Sequence, residues 1–341
     1  MAHRIPLWLP YLSEVNVSAS GVIHYVYKGG EDSVRLKDIS SIMIYGETDA
    51  SFSFKTFEKI SRAGIPVIYT RRNIGSPMII HGGLRYDAVD TVTAQILARE
   101  NKKKQCHIAR QLLKAKMNSM KHLAPVFELP DNANINELRN IEAKHAKKYW
   151  REYYTYIGHP EWTRRGEETG KNPVSDTLNL TSKFICGIIL RWTLYHHLSP
   201  SHGYFHVMTD YQSLVYDLIE PYRALFDIEL IRLFKDNAHL EENWPGMAIN
   251  LMKNKLNKKC YCPLTRQVVT YHELTHGIVL SLKSYLIGRQ RKFHIPLPGS
   301  PNGGRPSKVE FKLYARNAGK TDFWKVAKEV ADLDFACLSV G

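Results

Sequence analysis

The chain has 341 residues, enough for one large domain or two ordinary ones, and 44% hydrophobic with 23% charged residues suits a globular fold with a sizeable core. Lys and Arg number 47 against 33 acidic residues, and the net charge of +14 favours a polyanionic partner, either nucleic acid or an anionic membrane. The longest apolar runs, such as residues 184–190, fall far short of the roughly 20 residues that cross a bilayer, so nucleic acid is the better reading.

Prolines at positions 6 and 10 break the N-terminal stretch too early for a secretory leader. Five cysteines without framework spacing argue for a reducing compartment. Residues 1–90 read as β-rich. V-N-V-S-A-S-G-V-I-H-Y-V-Y places β-branched and aromatic runs on either side of a Ser-Gly turn, and S-V-R-L-K-D-I-S-S-I-M-I-Y-G continues in that style. A helix is predicted at 53–63, followed by a buried-type strand at 65–69. The texture changes after Arg85.

A long helical pattern runs from Val89 to Leu123, interrupted by K-K-K-Q, and the chain stays helical beyond it with polar loops at 128–134 and 158–173. The fold class is therefore α+β: a small β-rich domain (1–90), then a larger all-α domain (91–298), joined near 85–95. P-L-P-G-S-P-N-G-G-R-P-S-K at 296–308 reads as a basic Pro/Gly linker, and 299–341 as a C-terminal extension.

Two motifs compete for the chemistry. His272-Glu273-Leu274-Thr275-His276 spells H-E-x-x-H, which on a helix puts two imidazoles on one face with a glutamate as general base, the signature of a zinc metallopeptidase. Zinc needs a third protein ligand, however, and the extended motif fails because Val279 and Leu282 stand where a glycine and a histidine belong. Cys260 and Cys262 upstream make a C-x-C pair that is too tight for a usual zinc knuckle. The plainer expectation is a surface helix whose Ile278, Leu282, Tyr285 and Leu286 face the core.

The second candidate is a set of acidic residues in unusual places. In N-I-N-E-L-R-N-I-E-A-K-H-A-K-K-Y-W the apolar stripe runs through Leu138, Ile141, Ala146, Tyr149 and Tyr153. At about 100° per residue, Glu142 and His145 fall inside that stripe. An inward carboxylate needs a cation, a hydrogen-bond network or a metal. Farther on, Leu214, Val215, Leu218, Ile219, Tyr222 and Phe226 form one broad apolar face, and Asp217 with Glu220 lies on the other. Such a pair alone usually marks a solvated face. Pro221, which cannot donate to the Asp217 carbonyl, and His206, arriving after a Gly-Tyr-Phe turn or short strand, make the group a metal-site candidate.

Taken in order, these segments resemble the family of CRISPR-associated spacer-acquisition integrases, the "Cas one" endonucleases. V-R-L-K-D-I-S-S-I-M-I-Y-G and A-G-I-P-V-I-Y resemble its strands, and I-E-A-K-H-A-K-K-Y-W resembles its first ligand helix. N-P-V-S-D-T-L-N, G-Y-F-H and S-L-V-Y-D-L-I-E-P-Y-R resemble later segments, and C-P-L-T-R-Q-V-V-T-Y-H-E-L a late turn remote from the metal. The resemblance spans most of the chain. It departs in having Glu220 where many members carry aspartate, and Ala143 after Glu142.

The resemblance implies joining of DNA 3′-hydroxyl ends into a repeat array by transesterification, with endonuclease activity. It places Glu142, His206 and Glu220 on a Mn²⁺ or Mg²⁺ ion, with Asp217 close by, and leaves open which of Asp217 and Glu220 is the inner ligand. It also implies a homodimer formed through the β domain, a small "Cas two" companion subunit, and the prokaryotic cytoplasm. Lys147, Lys148, Arg151, Arg164, Arg165 and Arg223 are the candidate DNA-backbone contacts. Lys102, Lys103 and Lys104 are assigned to solubility or a diffuse field. A peptidase and a non-catalytic DNA-binding protein are the alternatives.

Overall fold

A computed structural model describes residues 4–71, 77–82, 90–165 and 172–300, with backbone alone at 238–240. The N-terminal region contains β1 (Ile5–Pro10), β2 (Glu14–Val17), β3 (Val22–Tyr27), β4 (Gly30–Arg35), β5 (Ile39–Tyr45), α1 (Phe54–Arg62), β6 (Val67–Thr70) and β7 (Met78–Ile80). β2, β3 and β4 form an antiparallel meander. β1, β5 and β6 pair in parallel, and β7 adds antiparallel at the edge. Parallel pairing of β5 with β6 requires a crossover, and α1 supplies it, capped by Ser53, whose side chain accepts from the Thr56 amide.

A parallel sheet is buried on both faces, and the strand alternation divides its side chains between two cores. Leu7, Leu9, Ile42, Ile44 and Val67 pack with the meander and α1. Trp8, Met43 and Ile68, registered side by side, point the other way into the helical core. They meet α5 (Pro173–Tyr195), where Trp8 stands edge-on to Phe184 and Met43 lies over Gly187. A Cβ at Gly187 would come 2.4 Å from Met43 Cε, so the missing side chain is what lets strand and helix approach.

The helical region comprises α2 (Thr91–Glu100), α3 (Lys102–Ser119), α4 (Ile135–Tyr156), α5, α6 (Ser213–Asp236), α7 (Trp244–Asn257) and α8 (Tyr271–Leu286). The single pattern expected over 89–123 is two helices. Asn101 ends α2 and caps α3, its side chain accepting from the Lys104 amide just where K-K-K-Q interrupts the pattern. Between α7 and α8 a hairpin, β8 (Lys259–Cys262) with β9 (Gln267–Thr270), interrupts the helices, so the larger region is mostly rather than wholly helical. α6 lies at the centre, packed by α3, α5, α7 and α8. Residues 85–89 of the proposed joint at 85–95, and nearly all of the C-terminal extension, lie outside the described residues.

Candidate active site

The loop at 203–206 wraps around one carboxylate. Asp217, on α6, is fully buried, and four donors converge on it. Oδ2 accepts from the Tyr204 amide at 2.6 Å and the Phe205 amide at 3.0 Å, and Oδ1 accepts from the His206 amide at 2.9 Å. The fourth partner is His206 Nδ1, 2.7 Å from Oδ1. An ionised carboxylate accepts only, so Nδ1 carries a proton, and in the neutral form of the ring Nε2 is the nitrogen that keeps its lone pair.

Gly203 makes this wrap possible. A Cβ there would come 2.5 Å from the His206 carbonyl oxygen and 2.8 Å from Asp217 Oδ2. The loop is irregular; no strand forms over the Gly-Tyr-Phe stretch. Arg139 on α4 clamps it from outside, donating Nη2 to the Phe205 carbonyl at 2.9 Å, which ties the His206 loop to the helix that carries Glu142.

Glu142 and Glu220 come from helices distant in sequence and meet at one cation. That cation is the ammonium of Lys116 on α3, hydrogen-bonded to Glu142 Oε1 at 2.5 Å and ion-paired with Glu220 Oε2 at 2.6 Å. Arg223 Nη1 stands 3.6 Å from Glu220 Oε1, and its Nε stands 3.8 Å from Asp227 Oδ2. Burial alone would raise the Glu220 pKa, but the charges of Lys116, Arg223 and His206 outweigh it and hold it at about 2. Burial lowers and the two carboxylates raise the Lys116 pKa, and the carboxylates prevail. Deeper in, Asp227 is pushed up to about 6, mainly by burial. For His206 the Asp217 hydrogen bond and charge overcome burial, so its pKa lies above the usual imidazole range.

A carboxylate pair spaced like Asp217 and Glu220 usually marks a solvated face, but this one does not. Both are buried, because the polar side of α6 is covered by the 203–206 loop and by α3. The side chains of Glu142 and His206 keep 23% and 33% of their surface, so this pair opens the group to solvent. No three His, Cys, Asp or Glu side chains among the described residues stand close enough to clasp one metal ion as placed.

Sequence reasoning overlooked Lys116, although the signal that exposed Glu142 applies to it. Leu112, Leu113, Lys116 and Met117 share the buried face of α3. It also missed Arg139, Gly203 and Asp227, whose roles depend on packing between distant segments.

The sequence profile of the CRISPR associated protein Cas1 family matches residues 14–128 and 124–245. The chain belongs to the Cas1 family. A CRISPR-associated endonuclease Cas1 from Korarchaeum cryptofilum (strain OPF8) is 34% identical over 131 residues, which cover 35% of this chain and 36% of that relative. Among solved structures, a casposase bound to integration product superposes with a TM-score of 0.73 at 18% identity, covering 97% of this chain and 99% of that one. A Cas6-RT-Cas1–Cas2 complex gives 0.65 at 12% identity, covering 86% of this chain and 36% of the other.

In this Cas1 family chain the H-E-x-x-H segment is built into the core. The expected surface helix is instead buried almost all round, because α8 packs against α2, α5, α6 and α7. Glu273 holds the N3 position of a capping box, accepting from the Thr270 amide at 2.7 Å while Thr270 Oγ1 accepts from the Glu273 amide. His276 stacks on Trp192 with centroids 3.7 Å apart, and its Nε2 lies 2.7 Å from His196 Nε2. Burial, then the charges of His196 and His272, push its pKa down to about 2.

The basic candidates divide by position. Lys147, Arg151 and Arg165 are exposed, although Arg151 also pairs with Glu152 at 3.1 Å. Lys148 is half-buried. Arg164 donates to Asn179 Oδ1 at 2.6 Å and lies over Trp150, and Arg223 is engaged with Glu220 and Asp227.

Proposed function

We propose that this chain is a CRISPR adaptation integrase, joining the 3′-hydroxyl ends of short DNA fragments into a repeat array by metal-dependent transesterification, with DNA endonuclease activity. One observation carries the reading. Carboxylates from α4 and α6 converge on a single positive charge, beside an imidazole whose tautomer is fixed by a third carboxylate. The casposase caught with its integration product supports the reaction class.

In this reading Glu142, Glu220 and the free Nε2 of His206 hold a divalent ion, and Asp217 holds His206. All four lone pairs that Asp217 directs inward are taken up by the loop and the imidazole, which favours Glu220 as the inner oxygen donor. Two carboxylates and one imidazole form a mixed oxygen and nitrogen set suited to Mn²⁺ or Mg²⁺, and the imidazole favours Mn²⁺. When bound, such an ion offsets charge on the scissile phosphate and acidifies the attacking hydroxyl.

The protein supplies the rest. Glu142 and His206, facing solvent, mark the side from which DNA approaches. Exposed Lys147, Arg151 and Arg165 are offered to its backbone. The new bond joins a 3′-oxygen to phosphorus as the phosphorus–oxygen bond of the repeat breaks, and the hydroxyl proton passes to the leaving oxygen or to water. The number of phosphodiester bonds is unchanged, so no nucleotide is consumed.

The chain is further proposed to act as a homodimer through its β-rich domain, with the Cas2-type companion that a solved relative carries, in the prokaryotic cytoplasm. None of the described helices is long and apolar enough to cross a membrane. The test incubates short duplexes bearing 3′-hydroxyls with a supercoiled repeat-bearing plasmid and Mn²⁺. Wild type yields joined products. Glu142→Ala and His206→Ala reduce joining to background and retain salt-sensitive DNA binding. Wild-type joining by either variant would overturn the site assignment.

A further inference from the structure

Among the described residues, Lys116 is the cation that touches both Glu142 and Glu220, and its position is unusual. It is 6% exposed, on the apolar face of α3, and its four-carbon stem carries a charge into the space between α4 and α6. A buried ammonium without compensation is costly, and so are two inward carboxylates without a cation. Each stabilises the other. Glu220 Oε2 accepts no aligned hydrogen bond from the described residues, so the ammonium at 2.6 Å is what compensates it.

We propose that Lys116 is a tethered counter-cation that competes with the divalent metal. Its ammonium holds Glu142 and Glu220 together when no metal is bound and must withdraw before an ion can take the same oxygens. The inference rests on the metal-dependent reading above. It accounts for two observations at once: the carboxylates are gathered, yet no three ligand side chains among the described residues are placed to clasp an ion. The charges agree. Two carboxylates facing one ammonium leave a net charge of −1, which a divalent ion in its place neutralises.

A lysine can perform this exchange where an arginine could not. The ammonium is a compact charge on a flexible stem, so it can swing away at the expense of a few rotamers. A guanidinium would grip both carboxylates through a rigid fork. Arg223, held between Glu220 and Asp227, is not positioned to substitute, because its nearest Glu220 approach is 3.6 Å and it does not pair with Glu142.

The test titrates MnCl₂ alone into the full-length chain by calorimetry and follows melting temperature with and without Mn²⁺. Wild type, Lys116→Met, Lys116→Arg and Glu142→Gln are compared. Lys116→Met is expected to bind Mn²⁺ at least tenfold more tightly than wild type, to melt lower without metal, and to gain more in melting temperature when metal is added. Lys116→Arg is expected to bind at least tenfold more weakly.

Lys116→Met affinity equal to or below that of wild type, in a chain where Glu142→Gln abolishes binding, overturns the counter-cation role and leaves the metal site intact. Absence of Mn²⁺ binding in both wild type and Lys116→Met overturns the metal reading itself. If Lys116→Met fails to fold without metal, Lys116→Arg decides, and wild-type affinity in that variant refutes the proposal.

Discussion

Four donors meet on the carboxylate of Asp217, and this explains why a residue next to a metal-site candidate is fully buried. An asparagine at 217 keeps one acceptor oxygen and turns an NH₂ group toward donors, leaving buried groups unsatisfied. Asp217→Asn is therefore expected to cost about 2–4 kcal/mol of stability, read by urea unfolding at pH 7.5, and to depress strand joining with it. A variant as stable as wild type would show that the loop is held by other interactions. Glu142 is legible as an inward carboxylate because the helical period places it inside an apolar stripe. Lys116 obeys the same rule, but it stands in K-A-K-M-N-S-M-K, a run that reads as a basic helix end. A long charged side chain at the edge of a stripe commonly snorkels to water, and only a partner from another helix keeps it inside.

The helices α6 and α8 illustrate how far periodicity reaches. The broad apolar face of α6 is plain from Leu214 to Phe226, and those residues are buried. The fate of the opposite face depends on what covers it, and a loop that arrives just before the helix does so. On α8 the same limit applies to His272 and His276, each 7% exposed. The burial of His276 makes a pH prediction. An imidazole held neutral to about pH 2 in the folded chain binds a proton near pH 6.5 when unfolded. Its contribution is intact above pH 6.5 and is lost as pH falls through the window from 6.5 toward 2, at up to about 1.4 kcal/mol per pH unit. His276→Phe keeps the ring on Trp192 and removes the titration. Urea unfolding at pH 7.5 and 5.5 is expected to show a loss in wild type exceeding that in the variant by about 1 kcal/mol. Parallel curves would show that His276 does not titrate as inferred.

Across the molecule, the surplus of 14 positive charges is the part of the DNA-binding reading that requires no coordinates. The fold then sorts the basic residues into two kinds. Lys147, Arg151 and Arg165 face solvent, whereas Arg164 and Arg223 are engaged around Trp150, Asn179 and Asp227. Replacing the first three with alanine is expected to flatten the dependence of log affinity on log salt by about 0.9 for each phosphate that is no longer neutralised, measured by anisotropy on duplex DNA. Arg164→Ala is expected to leave that slope unchanged and to lower the melting temperature. An unchanged slope in the triple variant would place the DNA on another face.

Composition, the helical and strand periods and the family segments are local properties, and they sufficed for a β-rich region followed by a helical one and for Glu142, His206, Asp217 and Glu220 as candidates. Parallel pairing in the β domain, the burial of Asp217 and Glu220 on α6 and of His272 and His276 on α8, the turn of Asp217 toward His206, and the ammonium between Glu142 and Glu220 had to await the tertiary structure. Each depends on segments distant along the chain, separated for Lys116 and Glu220 by the whole of α4 and α5. A period reveals which side of a helix avoids water, but the identity of the charge opposite is settled only when another element packs there.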